Sequence, residues 1–146
     1  MTLATAPRYD PDQIEERRGH AVVVGASMSG LIASRVLIDR FQTVTLIDKD
    51  PLVDDASARP GTPQANHIHV MKRAGQVVLE DLFPGNGDDL TDAGALTVDL
   101  ARGVKIYTQG DFFAHGPSPI QKYSASRPLF EQTTRRRVAK LDRVTI

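Results

Sequence analysis

Short apolar runs alternate with glycine and charged residues in the first third of the chain. Residues 21–24 read Ala-Val-Val-Val, a run short enough to be a buried parallel strand. Residues 31–40 repeat apolar side chains at three- and four-residue spacing, which predicts a helix packed against a sheet. Residues 43–47 form a second β-rich run. The order strand, helix, strand predicts an α/β fold with a parallel sheet.

The hydrophobic pattern becomes less regular after this second run. Residues 49–64 contain three prolines and predict an irregular loop. A loop of this length inside a compact domain is typical of a functional or mobile segment. Apolar residues at helical spacing then predict a helix over residues 66–83, which Pro84 and Gly85 end.

The last third of the chain predicts further strands and one more helix. Residues 97–100 and 104–108 have the composition of strands and predict an antiparallel pair. A helix is predicted over residues 127–141, with Ser126 as its N-cap. Residues 143–146 predict a last strand with an open edge, at which self-association or pairing with a partner chain is expected. The sequence thus predicts an incomplete parallel sheet with helices and a short antiparallel pair.

Composition adds bounds on size and on partners. A length of 146 residues suits about one domain, and 40% hydrophobic residues suffice for a core. Residues 1–19 are interpreted as a polar lead-in and residues 20–146 as the domain. The formal net charge is zero, which does not favour a nucleic-acid or anionic-membrane partner. The basic triplet at 135–137 is interpreted as the solvated face of a helix.

Several classes of protein are excluded or disfavoured by what the sequence lacks. It has no cysteine, which excludes disulfides, thiolate catalysis and cysteine-bound metals. It has no apolar run near the roughly 20 residues that span a bilayer, so no membrane span is predicted. The lead-in has no hydrophobic signal core. A cytoplasmic protein is therefore expected.

The most informative motif follows the first predicted strand. Gly25, Ser27 and Gly30 have the G-x-G-x-x-G spacing, with serine at the middle glycine. The first glycine permits a tight turn, and the middle residue must be small so that the backbone can approach a pyrophosphate. The last glycine lets the helix pack closely on its strand, and the N–H groups at the helix start then face the phosphates. The motif predicts a dinucleotide site.

An acidic residue at the end of the second predicted strand strengthens this interpretation. Asp48 follows Gly25 by 23 positions, near the roughly 20 expected for the acid that binds a ribose. A carboxylate there can accept hydrogen bonds from both ribose hydroxyls and would repel a 2′-phosphate. The alternative is a purely structural strand–turn–helix in which Asp48 caps the next turn.

Four segments together resemble a known family. They read GASMSGLIASRVL, VTLIDKD, RPGTPQANHIHVMKRAGQVVLEDLFPG and SRPLFEQTTRRRV. Their combination resembles the N-terminal part of FAD-dependent oxidoreductases of the aromatic-hydroxylase type, the group A flavoprotein monooxygenases. The resemblance implies a Rossmann-like FAD/NAD(P)-binding fold, with residues 20–146 as the N-terminal portion of the FAD-binding domain. The family more commonly has glycine at the position of Ser27.

The resemblance assigns the first motif to one half of FAD. It implies that Gly25, Ser27 and Gly30 line the pyrophosphate and that Asp48 holds the adenosine ribose. Lys49 stands where the family usually has a basic residue beside the adenine.

The resemblance also implies cofactor contacts for His67, His69 and Arg127. Other interpretations remain open for these residues. Two histidines two positions apart point the same way on an extended segment and could bind a metal, although no third ligand is evident. They could also lie at a helix start or on the surface. Arg127 could be a surface residue of the first helical turn, where the helix dipole does not favour a cation.

The function implied by the resemblance is NAD(P)H-dependent reduction of FAD and hydroxylation of a small organic substrate. The catalytic residues are unknown, because the remaining strands and the substrate domain of the family have no counterpart in residues 20–146. Three alternatives remain. They are a flavin-dependent reductase of the geranylgeranyl-reductase kind, a simple NAD-dependent dehydrogenase, and a truncated or split non-catalytic fragment that needs a partner chain.

Overall fold

The computed structural model describes residues 9–14, 16–67 and 69–146. Residues 1–8 and 15 of the predicted lead-in lie outside this part. The elements follow in chain order as β1 (Arg18–Val24), α1 (Met28–Arg40), β2 (Phe41–Ile47), α2 (Arg73–Leu82), α3 (Asn86–Asp92), β3 (Leu96–Asp99), α4 (Leu100–Gly103), β4 (Tyr107–Thr108), β5 (Asp111–Phe112), β6 (Gln121–Ser124), α5 (Arg127–Val138) and β7 (Val144–Thr145). Single 3-10 turns lie at Pro11–Gln13 and Pro63–Asn66.

The main sheet is parallel and has the strand order β1–β2–β7. Val22 is opposite Thr45, Val24 is opposite Ile47, and Val44 is opposite Val144. Two antiparallel pairs, β3 with β6 and β4 with β5, lie apart from this sheet. The protein is therefore a mixed α/β structure with a three-stranded parallel sheet and short antiparallel pairs, as the sequence predicts at this level.

The core lies on one face of the parallel sheet. Leu31 of α1, Leu46 of β2 and Val138 of α5 are almost completely buried in one cluster. The C-terminal part of α2 adds Leu79 and Leu82 to the same cluster. Burial of these side chains holds α1, α2 and α5 on this face, since each apolar side chain removed from water contributes about 2 kcal/mol.

The opposite face of the sheet is apolar but exposed. Val24 is 80% exposed, Val22 56% and Ile47 48%. These residues alternate with the buried ones because successive strand residues point to opposite faces. Both faces of a parallel sheet are usually covered. The sheet therefore has one packed face and one bare face within the described residues.

The described part of the lead-in is attached to α1. The Tyr9 hydroxyl donates to the Asp39 carboxylate at 2.5 Å. Burial and this contact raise the pKa of Tyr9 to about 12. β1 begins at Arg18, two residues before the predicted start of the domain. None of the helices in the described ranges has the length and apolar character needed to cross a membrane.

The helix predicted over residues 66–83 is wrong in its first part. α2 begins only at Arg73, and His67 and Lys72 have extended backbone conformations. Val70, which contributed to the helical pattern, is 52% exposed. The position of Val70 in the helical pattern therefore does not correspond to the buried side of a helix. The end of the helix before Pro84 is predicted correctly.

The antiparallel pair predicted between residues 97–100 and 104–108 is also wrong. The Asp99 carboxylate accepts hydrogen bonds from the N–H groups of Ala101 and Arg102, which starts the short helix α4 directly after β3. β3 instead pairs with β6, so that Thr97 lies opposite Tyr123. The helix cap removes the turn that the predicted pairing required.

The C-terminal elements agree with the prediction in type and differ in their bounds. The Ser126 hydroxyl accepts from the Leu129 N–H at 3.3 Å, which confirms the predicted N-cap of α5. The helix ends at Val138, three residues before the predicted end. The last strand joins the parallel sheet beside β2. It lies at an outer position in the strand order, so the predicted edge is an edge of the described sheet.

We expect Leu46→Ala to lower the free energy of unfolding by about 3 kcal/mol, because it leaves a cavity in the buried face of the sheet. Val24→Ala removes an apolar side chain from the next strand, but from the exposed face. It should cost less than about 1 kcal/mol. Urea unfolding followed by circular dichroism measures both values. Equal losses would contradict the assignment of the two faces.

Candidate functional site

The turn between β1 and α1 has a conformation that requires glycine at two positions. Gly25 has φ +99°, in the left-handed region, and its N–H donates to the Ile47 carbonyl at 2.7 Å. A Cβ at Gly30 would lie 1.7 Å from the Gly25 carbonyl oxygen. Any side chain at Gly30 would therefore push the helix away from the end of β1.

At the start of α1, Ser27 is half-buried and Ser29 is exposed. Ser27 is the N-cap of α1, but its side chain makes no capping hydrogen bond. The first N–H groups of a helix have no partner within the helix, and the helix dipole makes this end positive. This end of α1 can therefore bind an anionic group such as a phosphate.

Asp48 lies at the end of β2, directly beside this turn. Its Oδ2 accepts from the Ala26 N–H at 2.5 Å, and its Oδ1 accepts from the Asp50 N–H at 2.8 Å and from Arg59 at 3.1 Å. The side chain is 9% exposed. A carboxylate offers about four acceptor positions. Asp48 thus keeps one acceptor position, on Oδ2, for a ligand hydroxyl.

The Asp48 carboxyl is held in its ionised form. Burial raises its pKa, but the N–H groups of Asp50 and Ala26 and the Arg59 guanidinium lower it more strongly. The pKa therefore lies below the ordinary value of 3.8.

Arg59 is a central residue of the site that the sequence patterns did not indicate. Its side chain is only 5% exposed. Nε and Nη2 donate to Glu131 at 3.0 and 2.7 Å, Nη1 donates to Asp48 and Asp50, and Nη2 also donates to the Ala26 carbonyl at 3.3 Å. Burial lowers the pKa of Arg59, but the contacts with Glu131 and Asp48 raise it more strongly, so the net shift is upward.

Glu131 extends this contact into a larger charged cluster. Its Oε2 lies 3.4 Å from Arg127, and its Oε1 lies 3.5 Å from Arg135. Every charged side chain in the cluster is largely buried. The cluster contains three carboxylates and three guanidinium groups: Asp48, Asp50, Glu131, Arg59, Arg127 and Arg135. Its charges balance, which is the condition under which buried ions are tolerated.

The basic triplet is a solvated face only in part, since Arg136 is exposed, Arg137 is half-buried and Arg135 is buried. Arg135 is buried and donates to the Val53 carbonyl at 2.7 Å. Arg136 binds Asp54 at 2.7 Å, and Arg137 binds Asp89. Two of these arginines therefore hold the loop after β2 against α5, and the third connects α5 to α3.

His67, His69 and Arg127 line one cavity of about 540 Å³, together with Asn66 and Ser126. The structure thus brings these three predicted residues together. Nη1 of Arg127 is fully buried, and its 3.4 Å ion pair with Glu131 Oε2 lacks hydrogen-bond geometry. The Nδ1 atom of His69 lies 2.8 Å from the His67 carbonyl oxygen. In the part of the chain that the structure describes, no three acidic or histidine side chains cluster as metal ligands would.

A second cavity, of about 800 Å³, lies at the carboxyl ends of β2 and β7. Its lining includes Ile47, Asp48, Leu52 and Ile146. Ligands of open α/β sheets bind outside the carboxyl ends of the strands. Lys49 is not in this lining. Its side chain lies beside Gly61, where a Cβ would be 3.2 Å from the Lys49 Cε.

The sequence contained only a weak signal for Arg59 and Glu131. Arg59 is the first residue of the RPGTPQ segment, in a loop rich in proline and glycine. Glu131 follows it by 72 positions, inside a helix. No local spacing relates two residues so far apart, so only the folded structure shows that they are paired.

Comparison with curated proteins gives one relationship that covers most of the chain. The chain is 37% identical over 133 residues to Protein Rv3254 of Mycobacterium tuberculosis (strain ATCC 25618 / H37Rv). The aligned region is 88% of this chain and 28% of that protein, so the chain spans little more than a quarter of the relative's length. No family model matches the chain. The name of this relative states no activity.

We expect Asp48→Asn to reduce the dependence of stability on acid pH. Because the folded-state pKa of Asp48 is lowered, its ionised form contributes stability above about pH 3.8, and this contribution is lost as the pH falls through the lowered pKa. The difference in unfolding free energy between wild type and variant should therefore be largest near neutral pH and shrink below pH 4. Urea unfolding at a series of pH values measures it. A difference that grows on acidification would contradict the assignment.

Proposed function

We propose that this chain is the FAD-binding segment of a flavin-dependent oxidoreductase and that its parallel sheet is part of a Rossmann-like fold. The observation that carries the proposal is the juxtaposition of two features. Gly25 and Gly30 form a tight turn at the positive end of α1, and Asp48 ends the neighbouring parallel strand against that turn. This is the arrangement that dinucleotide recognition requires.

The adenosine half of FAD fits the carboxyl end of the sheet. The pyrophosphate would lie over the turn, where Ser27 is small and the first N–H groups of α1 lack capping by its side chain. Asp48 would accept one ribose hydroxyl at its remaining acceptor position. The cavity beside it has an apolar part formed by Ile47, Leu52 and Ile146, which suits an adenine ring. Lys49 would approach the adenine only after its side chain leaves Gly61.

The other predicted residues suit the remainder of the cofactor. His67, His69 and Arg127 share a cavity, and Nη1 of Arg127 is paired with Glu131 only by a long contact of 3.4 Å without hydrogen-bond geometry. A long ion pair of this kind leaves donor capacity on the guanidinium, which an acceptor oxygen of FAD would use. The donor set thus fits a ligand rich in oxygen acceptors.

FAD would supply the electron-transfer chemistry when bound, and the residues of this chain would bind and orient it. For the longer protein, of which this chain would be a part, we propose NAD(P)H-dependent hydroxylation of a small organic substrate. NAD(P)H oxidation that transfers no oxygen atom to the product would favour a flavin-dependent reductase instead.

Ser27→Glu tests the placement of the pyrophosphate. A carboxylate in the first turn is favourable for the helix dipole, so the fold should be retained or slightly stabilised. The same negative charge would repel the pyrophosphate, and we expect the affinity for FAD to fall by at least roughly tenfold. Titration calorimetry with FAD and with ADP measures the loss.

The matched control is Ser27→Gly, which keeps the position small. Its affinity should equal or exceed that of wild type. If Ser27→Glu binds FAD as tightly as wild type, the pyrophosphate does not lie over this turn. A wild-type protein that binds neither FAD nor ADP would overturn the proposed function itself.

A further inference from the structure

We propose that Arg59 is a positioning residue of the nucleotide site, which holds the Asp48 carboxylate against the glycine turn and thereby sets the affinity for the adenosine half of the dinucleotide. The inference rests on the proposed function for its second part. Its first part concerns only the contact between two residues of this chain.

The contacts around Ala26 form a closed arrangement. The Ala26 N–H donates to one oxygen of Asp48, and the Ala26 carbonyl accepts from Nη2 of Arg59. Nη1 of the same guanidinium donates to the other oxygen of Asp48. Ala26 itself is completely buried. The guanidinium therefore fixes the carboxylate and the turn relative to each other.

The position of Arg59 is in turn determined by α5. Nε and Nη2 both donate to Glu131, whose side chain is only 7% exposed. Withdrawal of the guanidinium would leave Glu131 and two further carboxylates with fewer cations in a buried environment, which is strongly unfavourable. Arg59 thus has one well-defined position from which to orient Asp48.

The hydrogen-bond count distinguishes positioning from direct ligand binding. A guanidinium has five N–H donors. Five contacts occupy them: two to Glu131, one each to Asp48 and Asp50, and one to the Ala26 carbonyl. No donor remains for a nucleotide in this arrangement. Arg59 therefore acts on the ligand through Asp48.

A double-mutant cycle tests this route. Arg59→Gln, Asp48→Asn and the double variant are titrated with FAD and with ADP. We expect each single variant to lose roughly tenfold in affinity, and the double variant to lose little more than Asp48→Asn alone. If Arg59→Gln causes the same fold loss in the wild-type and Asp48→Asn backgrounds, Arg59 acts independently of Asp48 and the inference is wrong.

The matched control is Arg137→Gln. Arg137 is also an arginine paired with an aspartate, Asp89, but the pair lies between α5 and α3 and away from Asp48. Its removal should leave the affinity for FAD and ADP unchanged. Arg59→Lys retains the charge without the forked donor geometry, so it should recover only part of the affinity.

A second measurement is independent of any nucleotide. We expect Arg59→Gln to raise the pKa of Asp48 and Arg137→Gln to leave this pKa unchanged. NMR titration of the Asp48 carboxyl carbon measures the pKa in each variant. An unchanged Asp48 pKa in Arg59→Gln would overturn the inference. If the wild-type protein binds no nucleotide but the Asp48 pKa rises in Arg59→Gln as expected, only the proposed function is overturned. Arg59→Lys and Glu131→Gln replace Arg59→Gln in both measurements if that variant does not fold.

Discussion

The buried guanidinium of Arg59 is the interaction on which the rest of the site depends. It lies among three carboxylates, on the end of β2, on the following loop and on α5. Without a cation at this position the carboxylates would repel one another in an environment that solvates charge poorly. Charge pairing therefore helps to hold the loop after β2 against the strand end and α5.

The site combines a local part with a long-range part. The turn at Gly25 and Gly30 follows from backbone geometry, since one residue adopts a left-handed conformation and the other has no room for a Cβ. The Asp48 carboxylate is held by the N–H groups of Ala26 and Asp50 and, in addition, by Arg59, which α5 positions through Glu131. The proposed nucleotide site thus requires the helix start, the strand end and a distant helix to be assembled around the same few atoms.

These two parts explain what the sequence predicts. β1, α1 and β2 follow from local periodicity, and the turn from glycine spacing. Residues 69–72, which lie outside α2, were predicted as helix because the exposed Val70 matched a helical pattern by chance. The partner of β3 could not be predicted, because strand pairing depends on residues far away in the sequence. The pairing of Arg59 with Glu131 could not be predicted for the same reason. Composition gave no hint of it either, because arginine and glutamate are rarely buried.

The separation of Arg59 and Glu131 by 72 positions also has a consequence for folding. Contacts between distant residues form late, because closing a long loop costs entropy before any contact compensates for it. The glycine turn can form early from neighbouring residues, whereas Arg59 is fixed against Asp48 only after α5 has docked. A ligand of this site would therefore bind the folded chain alone and slow its unfolding, without guiding the early steps of folding.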